Sequence, residues 1–241
     1  NLNATVELPS QWTIGLVNNV TRLFTTVCAQ ECTRGGPAIR KDFATSTTLQ
    51  IFGDARKTVQ PALQLYYVTD DAGRSHLWRI QPELAWRAAS NLQFGASASS
   101  EESHNNTQFY KRFGAATSDT SHYTVARLEQ GTRVLTLRAS YAATPNLSVQ
   151  WYSQPFIAKG TFSNVRELNV PQADEYAQRF KPYSDVAVTS APGGTNFEQF
   201  RSNLVTRWEY RPGSVLFFVW TQGRDFSGTQ ASTLNFGTDA R

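Results

Sequence analysis

Residues 76–88 read His-Leu-Trp-Arg-Ile-Gln-Pro-Glu-Leu-Ala-Trp-Arg-Ala. Trp78, Ile80, Pro82, Leu84 and Trp86 share one parity, and Arg79, Gln81, Glu83 and Arg87 the other. Successive side chains of a strand point to opposite faces, so this stretch predicts a β-strand with one apolar and one polar face. The pattern recurs. Leu147, Val149 and Trp151 oppose Ser148, Gln150, Tyr152 and Gln154; Phe200, Leu204, Trp208 and Tyr210 oppose Arg201, Asn203, Arg207 and Glu209. Leu135, Leu137, Ala139 and Tyr141 oppose Val134, Thr136, Arg138 and Ser140, and weaker versions run through 12–20, 49–53, 61–67 and 92–98. Residues 215–220 are apolar on both parities, which predicts a strand covered twice.

The connections carry as much information as the strands. Compact turn signals lie at 8–11, 55–58, 88–91, 143–146 and 211–213. Between them fall long polar connections at 22–43, 100–120 and 159–196, with 70–74 the short exception. Short turns therefore alternate with mostly long loops. In an up-and-down meander this gathers the tight turns at one end and the loops at the other, as in outer-membrane barrels. The expected strands are 3–8, 11–21, 44–54, 59–69, 75–88, 91–99, 121–144, 147–158, 197–210 and 213–226. Residues 121–144 are long for one strand, and Glu129-Gln130-Gly131-Thr132 offers an extra hairpin there. The expectation is one all-β domain over 1–241: an antiparallel up-and-down transmembrane β-barrel, about ten strands of it in this chain, forming a partial barrel.

Composition agrees. The 241 residues include 15 Phe, 9 Tyr and 6 Trp, which suit a pleated surface. Met is absent altogether, so an N-terminal portion is expected to have been removed or left out. The formal charge of +4 is spread without a basic run, which argues against a nucleic-acid partner. No stretch approaches the roughly 18 apolar residues of a helical span, though barrel strands leave a weaker signal. A soluble sandwich or lipocalin-like barrel also alternates, but it keeps charge off its inner face. Here the face opposite the aromatics carries Arg79, Glu83, Arg87, Arg201, Arg207 and Glu209, while Trp78, Trp86, Trp151, Trp208 and Tyr210 lie near strand ends like an interfacial girdle. The two cysteines, Cys28 and Cys32, read as a local disulfide in an oxidising compartment, with two free thiols as the alternative. With only His76, His104 and His122 elsewhere, they make a poor metal site, and neither metal nor cofactor is expected.

Several segments carry a resemblance. They are Thr33-Arg34-Gly35-Gly36-Pro37, Tyr123 to Gln130, Thr144-Pro145-Asn146-Leu147-Ser148 through Phe156, and Phe162-Ser163-Asn164-Val165-Arg166-Glu167-Leu168. The most specific are Phe200 through Arg211-Pro212-Gly213-Ser214, then Val219-Trp220-Thr221-Gln222-Gly223-Arg224. Together they resemble the C-terminal domain of an uncharacterised bacterial family. Its members carry an N-terminal module similar to family-9 carbohydrate-binding modules, followed by a large outer-membrane-type β-barrel. The resemblance spans essentially all 241 residues. It implies a location in the bacterial outer membrane, lipid as a partner, and carbohydrate as a ligand class. The sugar-binding module has no counterpart here, and the chain stops at Asp239-Ala240-Arg241 where a final aromatic-rich strand is expected. The piece is therefore expected to be the later part of a barrel that joins the rest of a longer chain or other envelope proteins.

No catalytic constellation stands out. The acid pairs Asp70-Asp71, Glu101-Glu102 and Asp174-Glu175 fall in expected loops and read as solvated. The best candidate is the row Arg79, Glu83, Arg87, Arg138, Arg201, Arg207 and Glu209 facing a barrel lumen. Such charges either select solutes or pair with one another across strands and only stabilise the wall. In the outer loops, Arg34, Phe162, Tyr176, Phe180 and Tyr183 are candidates for stacking on a glycan, or for packing over the barrel mouth. Three functions follow as expectations: a barrel that binds or passes a solute such as a carbohydrate, a structural barrel that anchors a surface module, and a glycoside-processing protein with chemistry elsewhere.

Overall fold

The computed structural model describes residues 1–22, 26–28, 30–114 and 121–229. Its strands are β1 (Leu2–Glu7), β2 (Thr13–Arg22), β3 (Thr26–Cys28), β4 (Ile39–Lys41), β5 (Ala44–Phe52), β6 (Val59–Asp70) and β7 (Ser75–Ala89). They continue with β8 (Leu92–Phe113), β9 (His122–Thr144), β10 (Leu147–Leu168), β11 (Phe180–Pro182), β12 (Gly194–Arg211) and β13 (Ser214–Gly228). Helix is confined to α1 (Gln30–Thr33), α2 (Val186–Ser190) and a 3₁₀ turn at Tyr176–Arg179. Eleven strands form one antiparallel sheet, ordered β1-β2-β5-β6-β7-β8-β9-β10-β12-β13, with β11 joined to β10 and a separate β3–β4 pair. The sheet is not closed: β1 and β13 each have one paired neighbour among the described residues.

The expected meander and its tight turns are present, but the strands run further than the alternation predicts. β8 continues to Phe113 and β10 to Leu168, and β12 begins at Gly194, so much of the expected loops 100–120 and 159–196 is strand. Residues 115–120 lie outside the described residues. β9 runs unbroken through Glu129-Gln130-Gly131-Thr132, so the extra hairpin does not form. The reason is that the upper parts of β8–β10 are polar or packed on both sides and lose the apolar row on which sequence alternation depends. At the other end, Pro212-Gly213 closes β12 onto β13 with φ of +79° at Gly213, a conformation that favours glycine. At the β5–β6 turn the Arg56 side chain and backbone N–H both donate to Asp54, and these bonds hold its carboxyl down to about 2.

Two regimes divide the strands along their length. Towards the tight turns the apolar row is exposed: Trp86 at 46%, Leu84 at 43%, Trp208 at 51% and Phe218 at 62%. Among the described residues, no second large sheet packs over it. The register aligns this row across strands. Val59, Trp86, Phe94, Ala139, Trp151, Leu204 and Trp220 are successive cross-strand partners. Towards the loops the chain builds its packed apolar core: Ile39, Val125, Leu168 and Phe180, with Cys32, Tyr123 and Tyr176 against it. Cys28 and Cys32 are joined by a disulfide beside it. Gly36 lies against the Tyr123 ring, where any Cβ would collide.

Arg179 ties this end together. Its side chain is 1% exposed and donates to the carbonyls of Ala173, Arg40 and Asp174. It also faces Asp42 at 3.4 Å and Asp71 at 3.6 Å. Asp71, itself 1% exposed, takes a positive φ of 53° in the β6–β7 turn and accepts the Asp42 backbone N–H. Arg74 bonds Asp42 and stacks 4.2 Å from the Tyr176 ring centroid. The segment after β10 thus reaches over the ends of β8 and β9 to the β6–β7 turn. Burial pushes the Asp42 carboxyl up, but the hydrogen bond from Arg74 and the charge of Arg179 outweigh it, and the net value is lowered. Arg179→Met removes one of the two guanidinium partners of buried Asp71 and leaves three carbonyls without their donor, and is expected to destabilise the loop end by about 3–5 kcal/mol in thermal denaturation. Because the Asp42 value is lowered, its contribution is complete above the ordinary aspartate range and lost as pH falls through the lowered value. Acid loosening of this end, followed by hydrogen exchange at 169–183, is therefore expected only below about pH 4.

Candidate functional site

The polar face carries the sequence-selected row, held by β7, β9 and β12 on the parity opposite the aromatics. Arg79 on β7 forms an ion pair with Glu101 on β8, its Nε 2.8 Å from Oε2, and lies 5.6 Å from the Tyr66 ring centroid. Glu83 accepts from Gln81 at 2.6 Å. Arg138 sits 5.5 Å from the Tyr152 ring centroid. Arg201 donates to Asp225 on β13 at 2.9 Å, and its guanidinium fills the space that a Cβ on Gly223 would occupy. Arg207 bonds Glu209 at 3.2 Å, and Glu209 also accepts the Gly213 backbone N–H. Arg87 is exposed near the β7–β8 turn.

Between these charges the face is lined by carboxamides. Gln50, Gln64 and Gln81 are directly registered across β5, β6 and β7. A hollow of about 720 Å³ opens over this part of the sheet, lined by Gln60, Gln81, Glu83, Ser97, Thr136 and Arg138 among others. Arg79, Arg201 and Arg207 are paired with carboxylates, while Glu83 bonds Gln81 and Arg138 lies by the Tyr152 ring, so the wall is polar, partly charge-compensated and able to hydrogen-bond a solute.

The loop candidates are built into the structure. Phe162 is on strand β10, edge-on to Tyr110 with centroids 5.2 Å apart, and so lies outside the loop expected for it. Phe180 is 8% exposed in the core and has no free face for a ligand. The Tyr176 hydroxyl accepts from Asn106 at 2.7 Å and its ring packs on Phe180. Tyr183 stacks on Phe113 with centroids 4.9 Å apart. Arg34 is exposed, with its guanidinium 5.2 Å from the Phe109 centroid.

The acid pairs also differ from expectation. Glu101 and Glu102 lie on β8, not in a loop, and face opposite sides, towards Arg79 and Arg133. Asp71 is buried rather than solvated, because Arg74 and Arg179 surround it. Two groups were not singled out in the sequence: Arg179, and the neighbouring pair His76 and His104, whose rings stack 5.1 Å apart. The second would have followed from a longer β8, since register alone brings residue 104 opposite residue 76.

A family model described as a domain of unknown function (DUF5916) matches residues 11–240, so the chain belongs to that family. No curated protein and no solved structure matches it. The family carries no assigned activity, and the residues themselves must supply the reading. A double-mutant cycle on Arg79→Gln and Glu101→Gln is expected to give a coupling of about 0.5–1 kcal/mol, as for a half-buried cross-strand pair. Zero coupling in chemical denaturation would mean that the two side chains do not meet.

Proposed function

We propose that the chain forms much of the wall of an outer-membrane-type β-barrel in a bacterial envelope. Lipid covers its apolar face, and a hydrophilic solute such as a carbohydrate binds to or passes along its polar face. The observation that carries this reading is the exposed apolar belt. From Trp78 to Trp86 the alternation spans nine residues on β7, within the roughly 9–11 that a tilted strand needs to cross a bilayer. Neighbouring strands match it in register, with Tyr67 opposite Trp78 and Phe94 opposite Trp86. Charge reappears on the same face directly above, as Glu102–Arg133 and Lys159–Glu198 ion pairs. Left in water, an apolar surface spread over so many strands would drive association.

The paired charges of the polar face favour a second reading, a filled barrel that anchors a larger assembly. Planar-bilayer recordings separate the two: stepwise conductance supports passage, and an electrically silent but membrane-inserted protein supports the anchor. The membrane placement has its own test. Leu84→Arg is expected to cost about 2–4 kcal/mol of folding stability in bilayers, the penalty for a charge at mid-depth on a lipid face. The same change at a water-exposed site costs within about 0.5 kcal/mol. A cost that small, with no quenching of tryptophan emission by brominated lipid, would exclude lipid from this face.

A further inference from the structure

Above the apolar belt, on the same side of the sheet, one registered row runs Thr69, His76, His104, Glu129, Thr161 across β6 to β10. It sets two of the three histidines of the chain directly opposite each other. Their rings stack at 5.1 Å with planes 4° apart, and Glu129 Oε1 lies 3.4 Å from His104 Nδ1. A groove of about 430 Å³ opens over them, with Trp78 on its lower side.

We propose that His76 and His104 bind a borderline divalent transition-metal ion of the Zn²⁺, Ni²⁺ or Cu²⁺ class, with Glu129 as the carboxylate behind His104. The argument begins with the proton. A carboxylate beside Nδ1 holds the N–H there and leaves the Nε2 lone pair free, the arrangement by which metal-binding histidines are oriented. Directly opposed residues on adjacent strands have Cβ atoms about 4.5–5.5 Å apart. Metal–nitrogen bonds of about 2.0–2.1 Å require the two nitrogens to be separated by little more than 3 Å. The stacked rings, 5.1 Å apart, would have to tilt about χ1 and χ2 to converge on one ion, a side-chain motion that asks no change of the ladder.

Arg127 places positive charge near His104, but the other nearby cations are paired with carboxylates. Arg133 is paired with Glu102, Lys159 with Glu198 at 3.2 Å, and Arg127 donates to Asn106. Among the described residues no three His, Cys, Asp or Glu side chains are grouped as direct ligands. The site therefore offers two protein ligands, with water from the open groove completing the shell. Two imidazoles select borderline ions over Mg²⁺ or Ca²⁺, which require oxygen donors. The row lies outside the belt, so the inference holds whether or not the apolar face meets lipid.

The test is isothermal titration of the full chain, free of any affinity tag, with NiCl₂, ZnCl₂ and MgCl₂. One Ni²⁺ or Zn²⁺ per chain in the micromolar range is expected, with no heat from Mg²⁺. His76→Ala and His104→Ala should each weaken binding at least about tenfold, and Glu129→Gln by about tenfold through the lost orientation of His104. His122→Ala, away from the row, should leave binding unchanged, and circular dichroism confirms that all variants fold alike. With Cu²⁺, electron paramagnetic resonance should report coupling to nitrogen that disappears in the double variant. Absence of binding to the unmodified chain, or binding undiminished in His76→Ala/His104→Ala, overturns the proposal.

Discussion

A continuous antiparallel hydrogen-bond ladder from Leu2 to Gly228 carries every other feature of the molecule. Side chains alternate faces with period two, so slipping any one strand by a residue would move its apolar row to the polar face. The row from Val59 through Trp86, Phe94, Ala139, Trp151 and Leu204 to Trp220 exists only in this register. So does the meeting of Arg79 with Glu101, and of His76 with His104. The tight turns enforce it locally. Arg56 closed over Asp54, and the positive φ of Gly213, each set where one hairpin begins to pair.

The ladder alone does not bury much. Its lower half leaves the apolar row open, while its upper half is the place where side chains become buried. The difference lies in what the connections contribute. The 22–43 segment supplies Ile39 and Cys32, and the 169–183 segment supplies Tyr176 and Phe180. Arg179 then satisfies carbonyls from three different residues and two carboxylates at once. A buried guanidinium with its donors used this fully fixes where two long connections lie relative to one another, which a purely apolar contact between them would leave free to slide.

How far these features were legible in the sequence follows from the same division. Where one face is apolar and the other polar, the alternation locates strands to within a residue or two, as at 59–70 and 75–89. Above the belt that signal vanishes, because Ser103 to Lys111 and Lys159 to Leu168 are surrounded by polar and packed neighbours on both sides. Alternation alone therefore ends the strands too early there. It leaves Phe162 in a loop where β10 continues, leaves Glu101 and Glu102 solvated where they face opposite sides, and gives His104 no cross-strand partner. Phe180 and Tyr176 stand out as loop aromatics that could stack on a glycan or pack over the mouth, because composition cannot distinguish a ring that waits for a ligand from one that closes a core. Arg179 does not stand out, since a lone arginine in a polar segment carries no mark of burial.

The two sheet edges connect the structural argument to the functional one. β13 presents Phe217 and Val219 on the polar parity as well as Leu216 and Phe218 on the apolar one, all more than half exposed. β1 is likewise open, with Leu2 and Val6 exposed. An edge in water can be protected by charge or by solvation of its backbone; an edge in lipid can be neither, and each unpaired amide or carbonyl there costs several kcal/mol. Lipid on the belt therefore entails further pairing at β1 and β13, either with one another or with additional strands. Under that reading, residues 215–220, which break the alternation kept by the neighbouring β12, would sit where the wall meets something more than solvent. The membrane reading and the completion of the wall are thus one physical claim, and evidence against either counts against both.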